Sequence, residues 1–269
     1  MLEPVKIAVM GVSGRMGKML LKVINETATT CLSGATERQG HNWIGKDIGF
    51  LTCGIENGII VTDNPIDVFL KAQAVIDFTL PEATVKHSTL AAQARIPHII
   101  GTTGFSEKQL IKLKLAARHA PIVRAGNMSL GVNLLTQLVK QVSSALDNSF
   151  DVEILEMHHN KKIDAPSGTA LMLGAAVAEG RKKDLNLVSN FSREGITGER
   201  KKGEIGFSSL RGGDVVGEHE VIFSSMGERI VIKHIASDRM IFARGAVKAA
   251  IWGINKEPSE YTMLDVLGL

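Results

Sequence analysis

Two imidazoles, an ammonium and a small-residue turn lie close together at His158, His159, Lys162 and Ser167-Gly168-Thr169. Histidine holds or releases a proton near neutral pH. Lysine brings a positive charge and, when perturbed, serves as an acid. Ser-Gly-Thr at a helix start offers backbone N–H groups to a carboxylate or phosphate. The helix dipole adds ~0.3–1 kcal/mol before any direct hydrogen bond. Together these groups suit protonation of an anionic substrate beside a hydride donor. Adjacent histidines on a strand point to opposite faces, so at most one faces the site unless the strand has ended. Glu153 and Glu156 could be acids or could bond a neighbouring backbone or imidazole group, and Asp164 reads as fixing the turn. No third ligand has suitable spacing, so no metal site is expected.

A second constellation lies near the N-terminus. Gly11-Val12-Ser13-Gly14-Arg15-Met16-Gly17 leads from an apolar run into an amphipathic one. That is the context of a Rossmann-type phosphate loop, in which glycines let the backbone approach a pyrophosphate and a helix N-terminus attracts it. The spacing is G-x-x-G-x-x-G rather than the strict G-x-G-x-x-G. Glu37, twenty residues after Gly17, is placed to bond ribose hydroxyls, and Arg38 to pair with a 2′-phosphate. The first favours NADH and the second NADPH, so either cofactor is expected. Gly101-Thr102-Thr103-Gly104 and Ala125-Gly126-Asn127-Met128 fall at expected strand ends, where ligands of parallel sheets bind.

The elements that must position these groups follow from periodicity. Val5–Met10, Cys31–Thr36, Ala74–Thr79, His98–Thr102 and Ile122–Ala125 read as buried strands, with helices over Arg15–Asn25, from Pro81 or Glu82, and from Ser106. That alternation predicts a parallel sheet with helices on both faces. Beyond Asn127 the pattern changes to a helix over Leu130–Leu146, a strand Asp151–His158 and a helix near Thr169–Ala178. Strands Phe207–Leu210, Glu218–Ser224 and Arg229–Ile235 are separated by turn signals and predict a mixed or antiparallel sheet. Ser189–Gly206 is polar and basic and predicts a mobile loop. A last helix over Arg239–Ile254 is placed to return to the first domain. The expected fold is therefore α/β: a Rossmann-type parallel-sheet domain over residues 1–128, completed by 238–269, and an α+β domain over 129–237 for substrate binding and oligomerisation.

Composition narrows the partners. Aromatics make up only 4% and the formal charge is +3, which disfavours a nucleic-acid platform and suits small anions. No apolar run approaches the ~20 residues that span a bilayer, so no membrane partner is expected. Cys31 and Cys53 lack metal-like or redox-like spacing. With no signal-peptide pattern at the N-terminus, they point to a cytoplasmic protein.

The run E-I-L-E-M-H-H-N-K-K-I-D-A-P-S-G-T-A at Glu153–Ala170 resembles the signature of the bacterial dihydrodipicolinate reductase family, also called 4-hydroxy-tetrahydrodipicolinate reductases. The similarity extends through V-S-G-R-M-G at Val12–Gly17, I-D-F-T at Ile76–Thr79, I-G-T-T-G-F at Ile100–Phe105 and N-M-S-L-G-V-N at Asn127–Asn133. It continues in S-R-E-G-I-T-G-E-R at Ser192–Arg200, G-D-V-V-G-E-H at Gly213–His219 and S-D-R-M-I-F-A at Ser237–Ala243. The resemblance implies reduction of a cyclic dicarboxylate to tetrahydrodipicolinate with NADH or NADPH, in the diaminopimelate route to lysine. It implies His158 as proton donor or acceptor, Lys162 as second proton donor, and His159, Gly168 and Thr169 as substrate-carboxylate contacts. It implies Gly11, Val12, Ser13, Gly14, Arg15, Met16, Glu37, Arg38, Gly101, Thr102, Thr103, Ala125, Gly126, Asn127 and Met128 as cofactor contacts, and a homotetramer. Leu80 stands where some members have Arg, and Met128 where some have Phe. Two other readings compete. A sugar or inositol dehydrogenase of similar architecture would carry Glu-Lys-Pro at the nicotinamide strand, which is absent. A redox-sensing regulator would need a DNA-binding element and no catalytic acid.

Overall fold

The computed structural model describes residues 3–269. These divide into two compact units, one running to Leu130 and resuming at Met240–Leu269, the other Gly131–Arg239.

The first unit begins with β1 (Val5–Met10), α1 (Arg15–Glu26), β2 (Thr30–Thr36) and the short helices α2 (Ile48–Cys53) and α3 (Pro65–Phe69). It continues with β3 (Ala74–Asp77), α4 (Pro81–Ala94), β4 (His98–Ile100), α5 (Glu107–Ala116) and β5 (Ile122–Arg124). Pro81 occupies the first turn of α4, where its missing N–H costs nothing. Ser106 and Gln109 cap α5 reciprocally.

The second unit holds most of α6 (Leu130–Ala145), then β6 (Asp151–His158), α7 (Gly168–Gly180), α8 (Leu185–Val188), β7 (Ser189–Asn190), β8 (Ile205–Arg211), β9 (Gly217–Ser225) and β10 (Glu228–Ala236). The chain then adds α9 (Met240–Gly253), β11 (Glu260–Tyr261) and α10 (Met263–Leu267) to the first unit.

The first sheet has the order β11-β5-β4-β3-β1-β2, and all its pairings are parallel. Side chains alternate across it. Ile7, Val9 and Ile76 pack with Leu20 and Ile24 of α1 and with Ala243, Ala246 and Val247 of α9. Ala8, Met10 and Val75 face the other way, against Val68, Phe69 and Ala91. Helices thus cover both faces. The backbone of α9 passes so near the strand-end segment that a Cβ on Gly245 would overlap the Met128 carbonyl.

The second sheet has the order β10-β9-β6-β8-β7 and is mixed. β6–β9 and β9–β10 are antiparallel, whereas β6–β8 and β7–β8 are parallel. A purely antiparallel arrangement is excluded because the chain crosses over through α7 between β6 and β7, and over the 191–204 segment between β7 and β8. Val152, Ile154, Val221 and Phe223 form a core with Leu135, Val139, Leu173 and Val177. The opposite face carries no helix from its own unit. Ser189–Gly206 is not a free loop either. Its first two residues form β7, its last two begin β8, and Arg193 and Arg200 tie the middle to Glu153, with Arg200 also reaching Asp151.

Candidate active site

β6 ends at His158, with alternate residues buried along it. Glu156 and His158 therefore share the core-facing side, while Glu153 and Met157 turn to the other. His159 lies just past the strand end, which releases it from strict alternation. The backbone then turns: the Lys162 N–H donates to the His159 carbonyl at 3.1 Å and the Asn160 N–H to the Gly213 carbonyl at 3.2 Å. The Lys162 Nζ meets both oxygens of Asp164, at 2.7 and 2.9 Å. Asp164 thus orients the lysine as well as the turn. Arg239 Nη2 lies 3.1 Å from His159 Nε2.

α7 starts at Gly168 with Ser167 as its N-cap, the Ser167 Oγ accepting from the Ala170 N–H at 3.1 Å. Gly168 and Thr169 are the first helical residues, so their backbone N–H groups point out of the positive end. A Cβ on Gly168 would meet nothing within 4 Å, so the approach there is open.

Beneath this loop sits a buried polar cluster. Glu156, only 1% exposed, accepts from Arg211 through two bonds of 2.8 Å and from the Ser167 N–H at 3.2 Å, and it meets His158 Nδ1 at 2.5 Å. Burial alone would raise its carboxyl. The bonds from Arg211 and His158 outweigh that and bring it down to about 2. His158 is pushed below the usual imidazole range, chiefly by burial and then by Lys162 and Arg211, against the opposing pull of Glu156. It is therefore neutral at pH 7. His219 packs edge-on to His158 with ring centroids 5.0 Å apart, and its Nε2 lies 3.0 Å from Ser167 Oγ. Burial, and then the neighbouring imidazole of His158, lowers it to about 4.

Arg211 and His219 did not emerge as site residues from the sequence. Arg211 reads there as part of a turn, 55 residues from Glu156. His219 was findable: it is two residues before Val221 and four before Phe223, on their buried side.

In the first unit, Gly11 takes φ +67°, and a Cβ there would lie 2.8 Å from Thr79 Cγ2. Gly14 caps α1 without any side-chain bond. This glycine cradle at an uncapped helix N-terminus fits a pyrophosphate. It borders a cavity of about 590 Å³ that also exposes Ser13, Glu37, Arg38, Leu80 and His87. Glu37 Oε1 accepts from the Ser13 N–H at 2.9 Å and Oγ at 2.6 Å, and its Oε2 from the Arg38 N–H at 3.0 Å. Burial opposes ionisation, but these bonds and His41 hold the carboxylate below its ordinary range. Val12 and Met128 are buried, and Met16 packs against the same core, so these three present mainly backbone to a ligand. Arg15 opens α1 beside the cradle.

Gly101, Thr102 and Thr103 follow β4, and Ala125, Gly126, Asn127 and Met128 follow β5; neither segment lines that cavity. The Thr102 hydroxyl is directed into a buried network, 2.9 Å from Thr84 Oγ1. That network centres on Asp77, which is fully buried, 2.7 Å from His87 Nδ1 and 3.3 Å from His98 Nε2. Gly101 is required because a Cβ would strike the Phe78 ring at 2.1 Å.

Comparison with known proteins bears directly on these arrangements. The family profile described as dihydrodipicolinate reductase, N-terminus, matches residues 5–128, and that described as dihydrodipicolinate reductase, C-terminus, matches 131–267. A 4-hydroxy-tetrahydrodipicolinate reductase from Dinoroseobacter shibae is 60% identical over 98% of both chains. One from Roseobacter denitrificans is 55% identical over 100% of this chain and 99% of that one. Among solved structures, a dipicolinate-bound dihydrodipicolinate reductase from Paenisporosarcina sp. TG-14 shares the fold, with TM-score 0.76 and 22% identity over 96% of this chain and 97% of that one. A myo-inositol dehydrogenase from Corynebacterium glutamicum shares it more loosely, at TM-score 0.55 and 12% identity over 95% and 90%. With both halves matched and identity of this order along the whole length, the chain belongs to the dihydrodipicolinate reductase family.

Proposed function

We propose that the protein reduces 4-hydroxy-tetrahydrodipicolinate, or its dehydrated form dihydrodipicolinate, to tetrahydrodipicolinate with NADH or NADPH, in the diaminopimelate route to lysine. The observation that carries this reading is the loop after β6, where a neutral imidazole, an ammonium and the N-terminus of α7 follow one another between His158 and Thr169. The family and its relatives' names support the same reaction.

Gly11, Val12, Ser13, Gly14, Arg15 and Met16 would hold the pyrophosphate, Glu37 the ribose and Arg38 a 2′-phosphate when one is present. Glu37 already accepts from Ser13, so a ribose hydroxyl would share that carboxylate. Gly101, Thr102 and Thr103, with Ala125, Gly126, Asn127 and Met128, would border the nicotinamide. The reduced nicotinamide supplies a hydride when bound. Lys162 donates a proton to the carbon or nitrogen on which negative charge develops, and His158 Nε2 accepts and returns a proton beside it. His159, Arg239 and the Gly168 and Thr169 amides hold the carboxylates. Fixing the ring in this way removes orientational freedom before transfer.

A homotetramer formed through the second sheet is part of this reading. The sheet's uncovered face carries Met157 opposite Leu210 and Ile222 opposite Val231, with Leu210, Val231 and Ile235 exposed. Apolar side chains exposed together on one sheet face support a subunit contact there. We place the enzyme in the cytoplasm on its biosynthetic role and its two unpaired cysteines, and assign it no nucleic-acid or membrane partner. Among the described residues no helix is long and apolar enough to cross a membrane. Incubation with NADH and freshly generated dihydrodipicolinate, followed by mass spectrometry, tests the reaction. Tetrahydrodipicolinate is the expected product, and unreduced substrate throughout would contradict it.

A further inference from the structure

We infer that Glu156 is a positioning residue for His158: it accepts the Nδ1–H, so that the imidazole is held as one tautomer with the Nε2 lone pair presented for proton transfer. The inference rests on the reading of His158 as a proton-transfer group.

An ionised carboxylate only accepts. Glu156 Oε1 receives Arg211 Nη2 at 2.8 Å and the Ser167 N–H at 3.2 Å. Its Oε2 receives Arg211 Nη1 at 2.8 Å. The Ser209 side chain also bonds the carboxylate. The paired guanidinium keeps the group anionic, so at its contact with His158 Nδ1, at 2.5 Å, the imidazole nitrogen must carry the proton. A neutral imidazole has one N–H, and Nε2 is then the acceptor. Gly217 leaves space in front of that nitrogen, since a Cβ there would stand 3.0 Å from it.

Four groups face the imidazole. Glu156 on its own strand favours the protonated ring, while Arg211 at the end of β8, His219 on β9 and Lys162 in the loop oppose or do not aid it. The carboxylate thus sets both the tautomer and the ease of protonating Nε2. Arg211 also donates to the Asp164 carbonyl at 2.7 Å. The clamp on Glu156 is therefore continuous with the turn that carries Lys162.

Nitrogen-15 NMR of the labelled enzyme, with His158 assigned through His158→Gln, tests this directly. A proton on Nδ1 and a lone pair on Nε2 at neutral pH are expected; a proton on Nε2 would overturn the inference. In Glu156→Gln the amide oxygen still accepts the Nδ1–H but the charge is gone. The His158 midpoint should fall by ~1–3 pH units, the kcat profile should move with it, and kcat should drop about 10²-fold, with Glu156→Asp restoring part. An unmoved midpoint and profile in a folded Glu156→Gln protein would overturn it. The wild-type tautomer decides the matter even if that variant does not fold. Full turnover by His158→Gln would instead remove the proton role of His158, and the tautomer result would still stand.

Discussion

Glu156 and His158 stand two residues apart on one face of β6, and their side chains meet at 2.5 Å. Strand geometry brings them together, since residues i and i+2 project to the same side. A short local spacing thereby places a buried carboxylate behind an imidazole at the end of a strand. The next positions, His159 to Lys162, already belong to the turn that carries the ammonium.

Lys162, held by Asp164, is proposed as the proton donor. Lys162→Ala should lower kcat by roughly 10²–10⁴-fold while NADH affinity, followed by fluorescence titration, stays within about twofold. An unchanged kcat in the purified variant would remove its role as a proton donor.

Arg38 is proposed to pair with the 2′-phosphate of NADPH. Arg38→Ala should weaken NADPH by about 10-fold, the value of a charge-assisted hydrogen bond, and change NADH much less. Steady-state KM values for both cofactors measure this, and equal effects would argue against pairing of Arg38 with that phosphate.

Gly11 has a positive φ of +67° and no room for a side chain beside Thr79. Gly11→Ala combines left-handed strain of roughly 1–2 kcal/mol with that contact. Cofactor affinity should fall at least about 10-fold, and calorimetric titration with NADH would report it.

Asp77 links stability to pH. Burial alone would raise its carboxyl, but the bonds from His87 and His98 hold it well below the ordinary range. His98 is lowered as well, by its own burial. Both groups bind fewer protons folded than unfolded, so acid favours unfolding. The loss begins as pH falls below 6.5, the ordinary value of His98, and steepens below 3.8, that of Asp77. The Tm should therefore fall steadily from pH 7 to pH 4. Asp77→Asn leaves buried donors poorly paired and should cost about 3 kcal/mol, or roughly 6–12 °C in Tm. A Tm within a degree of the parent would contradict the network's structural role.

Val231 lies on the uncovered face of the second sheet. Val231→Glu would bury an unpaired charge at the proposed subunit contact, at a cost of several kcal/mol. Light scattering after size exclusion should show a tetramer for the parent and smaller species for the variant.

Much of this organisation is legible in the residues themselves. Val5–Met10 is apolar but for Lys6, and Asp151–Ile154 alternates polar and apolar residues; both strands, Val5–Met10 and Asp151–His158, have the expected bounds. Ser106 announces its helix through the bond it makes to Gln109. The helices at Ile48–Cys53 and Pro65–Phe69 are too short to show a period. β8 reaches its parallel place beside β6 after the 191–204 segment, in which Arg193 and Arg200 meet Glu153, and no local pattern encodes such a pairing. The site shows the same division. His158, His159, Lys162 and Gly168 lie in one short stretch and are readable, whereas Arg211 and His219 join Glu156 and Ser167 only once three strands and a helix have assembled.

The proposed coupling of nicotinamide oxidation to reduction of a cyclic dicarboxylate runs through His158 and Lys162. It is tested most directly by the initial rate of NAD(P)H absorbance loss when enzymatically generated dihydrodipicolinate is added. We predict turnover by the parent and a loss of about 10²-fold or more in both His158→Gln and Lys162→Ala. No turnover by a folded parent that binds cofactor would contradict the assigned reaction, and parental rates in both variants would contradict the assigned residues.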